Sequence, residues 1–125
     1  MHAARQLETY RQIQKTTMSG GELEAEILTK ASLLLKECRD NWDDIDRSEK
    51  LVRALKYNQM IWSIFQGELA KPENPLPKKF REDILSLSFF IDKRIFDIMS
   101  YPEQKKLDII IDINLNLAAG LRSSP

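Results

Sequence analysis

The sequence predicts an all-α fold, a compact single-domain bundle of about five helices covering residues 1–125. Three observations carry that reading. Apolar residues recur three and four apart through long segments, the spacing that lines one face of a helix. Gly and Pro number only four and five, and three of the prolines fall in the single stretch Lys71-Pro72-Glu73-Asn74-Pro75-Leu76-Pro77. The chain is 42% hydrophobic over 125 residues, without a Gly-rich linker, repeat or low-complexity tract. That is enough for one core that needs neither metal nor disulfide.

Each element has its own signal. A first helix over residues 3–17 rests on Leu7, Tyr10, Ile13 and Thr17, with Gln14 interrupting, so its apolar stripe is thin. Ser19-Gly20-Gly21-Glu22 reads as a capping box that starts the second helix. There Leu23, Ile27, Ala31, Leu34 and Cys38, with Leu28 and Leu35 beside them, form one continuous face. The run Arg39-Asp40-Asn41-Trp42-Asp43-Asp44-Ile45-Asp46 lacks that period and supplies side chains that cap helices, so it is a connector. In the third helix Leu51, Leu55, Asn58, Trp62, Phe65 and Leu69 alternate in steps of four and three, widened by Ala54 and Ile61. The three prolines that follow force a turn.

A fourth helix over about residues 77–99 places Phe80, Ile84, Leu87, Ile91, Ile95 and Ile98 on one face, and Leu85, Phe89, Phe96 and Met99 in an adjoining row. Phe90 falls among charges. Ser100-Tyr101-Pro102-Glu103 reads as a second capping box, and Gly120 as a C-cap, which bounds a fifth helix over about residues 101–119. The tight joint between the fourth and fifth helices predicts that they are antiparallel neighbours.

The residue inventory argues against catalysis. His2 is the only histidine and sits at the terminus, and Cys38, the only cysteine, ends an apolar stripe where a small buried residue fits. Asp40, Asp43, Asp44 and Asp46 lack the Gly and the terminal Glu of a calcium loop, and no glycine pattern makes a phosphate cradle. No enzyme activity, cofactor or metal is expected. The lone cysteine, the early charge at Arg5 and the absence of a long apolar run point to a cytoplasmic protein without signal peptide or membrane span.

Nineteen Lys+Arg balance nineteen Asp+Glu, and the balance is local as well. Lys78-Lys79-Phe80-Arg81 and Lys93-Arg94 are interleaved with Glu82, Asp83, Asp92 and Asp97, the pattern of a solvated face carrying ion pairs, which disfavours direct nucleic-acid binding. What remains is apolar surface wide enough to hold a partner helix, or to be covered by the first two helices. Asn58 and Asn114 each interrupt an apolar stripe. An amide there must pair inside the fold, fix a register, or meet a ligand's backbone, and internal pairing is the preferred reading.

Asn74-Pro75-Leu76-Pro77, Ile84-Leu85-Ser86-Leu87, Asp92-Lys93-Arg94, Leu107-Asp108 through Ile111-Asp112-Ile113-Asn114, and Ala118-Ala119-Gly120-Leu121-Arg122 resemble the FlaF family of flagellar biosynthesis regulators. The opening with Glu22-Leu23-Glu24-Ala25 and the central Tyr57-Asn58 with Trp62 and Phe65 fit the same family. Leu115 departs from it, since relatives are expected to carry a polar or basic residue there. The resemblance implies a non-enzymatic, cytosolic flagellar assembly factor of alphaproteobacteria that binds flagellin as an export chaperone and promotes its production and secretion. A second implied reading is a post-transcriptional regulator that contacts flagellin mRNA or the FlbT regulator. On the first reading, an apolar groove bordered by the third to fifth helices takes a flagellin helix. Trp62, Phe65, Phe89, Phe90 and Leu117 would be its anchors, and Asn58 and Asn114 its polar pins. Trp62 and Phe65 also fit an ordinary core, whereas Phe90, among charges, is the exposed candidate. The oligomeric state is left open.

Overall fold

The computed structural model describes residues 21–123, which form four α-helices and one 3-10 turn, with no strand among them. The expected first helix and the Ser19 end of the first capping box lie outside the described residues. Helix α1 (Glu22–Asp40) follows directly from Gly21, α2 spans Arg47–Leu69, and α3 spans Lys78–Ser100. A 3-10 turn at Gln104–Lys106 leads into α4 (Leu107–Ser123). These four correspond to the second to fifth expected helices.

The core is built from the faces that periodicity marks. Leu28, Leu35, Leu55, Trp62, Ile91, Ile95, Ile98, Leu107, Ile110 and Ile111 are all closed to solvent. Helix α1 packs against α4 and α2, and α2 packs against α3. Small side chains set the tightest of these contacts. Ala25, Ser32 and Ala118 are fully buried, and the Ser32 hydroxyl donates to the Ile111 carbonyl at 3.2 Å, which requires the two backbones to run close together. Arg39 to Asp108 at 3.0 Å and Arg122 to Thr29 at 3.0 Å mark the same interface toward its two ends.

Three local expectations are corrected. The fourth and fifth expected helices, α3 and α4, approach each other least among the neighbouring pairs, because α4 is drawn onto α1 by those small residues. Helix α4 starts six residues later than the second capping box implied, since Ser100 still belongs to α3 and Glu103 is extended at φ −141° and ψ 135°. Lys106 ties that joint together, donating to the Tyr101 carbonyl at 2.8 Å and pairing with Asp97 at 3.0 Å. Gly120 does not end α4. The helix continues because Leu121 still packs against the core and Arg122 still reaches α1.

The connectors work differently from simple side-chain caps. Asp46 sits at the start of α2 without a side-chain bond to its backbone, and its carboxylate pairs with Lys50 at 3.4 Å instead. Asn41 does cap, donating to the Glu37 carbonyl at 3.0 Å, and Arg47 stacks 4.0 Å over the Trp42 ring. In the proline-rich turn, Asn74 accepts from the Leu76 amide at 3.0 Å and donates to the Glu68 carbonyl at 3.1 Å. Pro77, with no N–H to satisfy, then precedes α3.

Candidate functional site

The seven residues singled out from the sequence fall into two groups. Asn58, Trp62 and Asn114 meet in the core, and none of the three has any exposed surface. The Trp62 indole donates to Asn114 Oδ1 at 2.9 Å, and Asn114 Nδ2 donates to Asn58 Oδ1 at 2.7 Å. Asn58 Nδ2 completes the chain on the Ala31 carbonyl at 3.1 Å and the Ala54 carbonyl at 2.8 Å. The polar groups are therefore spent on one another, and these residues join α1, α2 and α4 instead of facing outward. Phe65 stands at the edge of that core, half-buried, its ring perpendicular to Trp62 at 5.8 Å.

Phe89, Phe90 and Leu117 lie at the surface or next to it. Phe89 is 58% exposed and Phe90 41%, and Leu117 is half-buried against the core. Successive residues on a helix point about 100° apart, so the two phenylalanines serve different sides of α3.

Polar contacts orient those sides. Arg81 reaches the Leu69 and Lys71 carbonyls, and Asp92 accepts from Gln66 at 2.9 Å, so that edge of α3 faces α2. The opposite edge carries Phe80, Leu87 and Arg94, with Phe90 just outside it. On α4, Asp108 and Arg122 face α1, which leaves Ile109, Ile113 and Leu117 on the flank turned away from α1. The Lys106–Asp97 pair brings the start of α4 to the Phe90 side of α3. Both apolar flanks are left free by those contacts, and the seam between α3 and α4 is packed far more loosely than the α1–α4, α2–α3 or α1–α2 contacts. Arg94 lies 5.7 Å from the centre of the Phe90 ring and 4.0 Å from Asp97, so the rim of this seam is charged while its walls are apolar.

Sequence reasoning did not select Phe96, 74% exposed, Phe80 and Ile109 as surface residues. The signal was present, since Phe96 belongs to the row adjoining the core face. A helical stripe gives the direction of a side chain, but not whether a neighbouring helix covers it. No helix among the described residues is long and apolar enough to cross a membrane, and no group of three His, Cys, Asp or Glu side chains there is placed to hold a metal ion.

No curated protein and no solved structure matches the chain. The family model described as "Flagellar protein FlaF" matches residues 6–121, nearly the whole sequence. The chain belongs to the FlaF family and is a flagellar protein.

Proposed function

We propose that this FlaF protein is a non-enzymatic export chaperone that holds an amphipathic helix of flagellin in the seam between α3 and α4, in the cytosol, before secretion. The observation that carries the reading is Phe90. It stands 41% exposed on a charged side of α3, beside a seam walled by half-buried Leu87, Ile113 and Leu117. Flagellin termini fold as amphipathic helices only in the filament, so a surface that covers their apolar faces keeps the subunit from polymerising early. The buried Asn58, Trp62 and Asn114 support the seam from within by fixing α4 relative to α2.

Titration calorimetry against purified flagellin tests this. The expected result is binding that changes little with salt and has a negative heat-capacity change, as burial of apolar surface requires. Binding to the flagellin leader RNA that falls steeply with salt, with none to flagellin, would replace the chaperone reading by the post-transcriptional one. Affinity for FlbT alone would move the partner from flagellin to that regulator.

A further inference from the structure

The seam leaves a second apolar feature of α3 unused. Leu85, Phe89 and Phe96 fall within about 40° of one another around the helix, on the order of 120° from the buried row Ile84, Ile91, Ile95 and Ile98. Two of the three are largely in solvent, Phe89 at 58% and Phe96 at 74%. Exposed aromatic rings in line on one helix are a surface to be covered.

The charges beside this row say what covers it. Glu82 and Lys93 flank Phe89 on the same edge, eleven residues apart. Within α3, Lys78 pairs with Glu82, Lys79 with Asp83 and Arg94 with Asp97, and Arg81 bonds backbone carbonyls. Lys93 is exposed and makes no ion pair or hydrogen bond among the described residues. Reversing the helix on itself about a point between Leu87 and Ser88 sets Glu82 opposite Lys93 of a second copy, and Lys93 opposite the second Glu82. The two Phe89 side chains meet near the axis, offset by about 4.5 Å along the helices, close enough for ring contact. A parallel pairing would instead oppose Glu82 to Glu82 and Lys93 to Lys93, which repel.

We infer that the outward face of α3 pairs with a second copy of this chain, antiparallel and two-fold symmetric, through Phe89 and Phe96 with reciprocal Glu82–Lys93 ion pairs. The interface is isologous, so one complementary edge is used twice. It is a single helix face, of the size that gives a reversible, concentration-dependent dimer rather than an obligate one.

Sedimentation velocity on the full chain, over a concentration series from low micromolar to low millimolar, reads this out. A reversible monomer–dimer equilibrium is expected. Lys93→Glu or Glu82→Lys alone should weaken it by about tenfold, and Glu82→Lys with Lys93→Glu together should restore it to within about threefold, because both pairs are exchanged at once. Phe89→Asp should leave only monomer, with an unchanged far-ultraviolet circular dichroism melt to show that the fold persists. Phe90→Ala should leave dimerisation unaltered, which keeps this result independent of flagellin binding in the seam. A chain that stays monomeric throughout, or a double variant no better than the singles, overturns the proposal. So does loss of flagellin binding in Phe89→Asp when the parent protein is monomeric, which would give this face to flagellin.

Discussion

Asn114 Nδ2 donates to Asn58 Oδ1 at 2.7 Å, joining α4 to α2 at a point where neither residue has any solvent exposure. The bond is one step in a directed chain, from the Trp62 indole to Asn114, then Asn58, then the Ala31 carbonyl of α1. A network of this kind does little for stability while it is complete, since each bond replaces one to water. Its members become expensive only when one is removed.

Asn114→Ala removes the acceptor of Trp62 and the donor of Asn58 together. Each buried group left without a partner costs about 1–3 kcal/mol, so with two such groups the variant should lose about 2–6 kcal/mol in urea unfolding. Asn58→Ala should be coupled to it. A double-mutant cycle is expected to give an interaction energy above about 0.5 kcal/mol, and strict additivity would mean that the two amides act separately.

Trp62 and Phe90 should respond very differently to truncation. Trp62→Ala opens the centre of the bundle and should cost about 3–5 kcal/mol, as large-to-small changes of buried aromatic residues do. Phe90→Ala removes a ring that is 41% exposed, and should cost under about 1 kcal/mol; under the proposed chaperone function it should weaken binding to flagellin about tenfold or more. A Phe90→Ala protein that melts far below the parent would place that ring in the core and remove it from the seam.

These contrasts mark how far the sequence could be read. Helix faces were legible because burial follows the three-and-four spacing, and Leu28, Leu55, Ile91 and Ile95 lie where that spacing puts them. The internal use of Asn58 and Asn114 was legible as one option, because an amide amid Leu and Ile must be satisfied somewhere. Which helices touch was not legible. The short joint after Ser100 suggested that α3 and α4 pack together, but the approach of α1 to α4 depends on where Ala25, Ser32 and Ala118 come to face one another, which is a property of the assembled bundle. For the same reason the spacing could not tell that Phe89 and Phe90, adjacent in sequence, are both exposed and point to different sides of α3.

Glycine substitutions test the α1–α4 contact directly. A Cβ added at Gly21 would stand 2.9 Å from both the Cβ and the carbonyl oxygen of Leu121, and the backbone atom cannot turn aside. Gly21→Ala should therefore destabilise by about 1–3 kcal/mol. Gly67, inside α2, has nothing within 4 Å of an added Cβ. Gly67→Ala should stabilise by about 0.5–1 kcal/mol, through the helix preference of Ala. Thermal melts of the two variants should move in opposite directions, and a shared direction would contradict the close approach at Leu121.

Cys38 makes the fold sensitive to alkali. It is 4% exposed, and burial, with Glu37 adding to it, pushes its thiol above the usual range, against the smaller opposing pull of Lys50 and Arg47. A raised value in the folded state means that the unfolded chain loses the proton first. The contribution to stability is complete below the unfolded value of about 8.5, and is lost as pH climbs toward the folded one. Between those two values the loss reaches at most about 1.4 kcal/mol per pH unit. Cys38→Ala lacks the titrating group, so its deficit relative to the parent in urea unfolding should be largest near pH 7 and shrink from about pH 9 upward. A thiol reagent at pH 8 should label Cys38 slowly in the folded parent and rapidly in urea. Rapid labelling of the folded protein would mean that the thiol reaches solvent without unfolding, and the alkaline effect should then vanish as well.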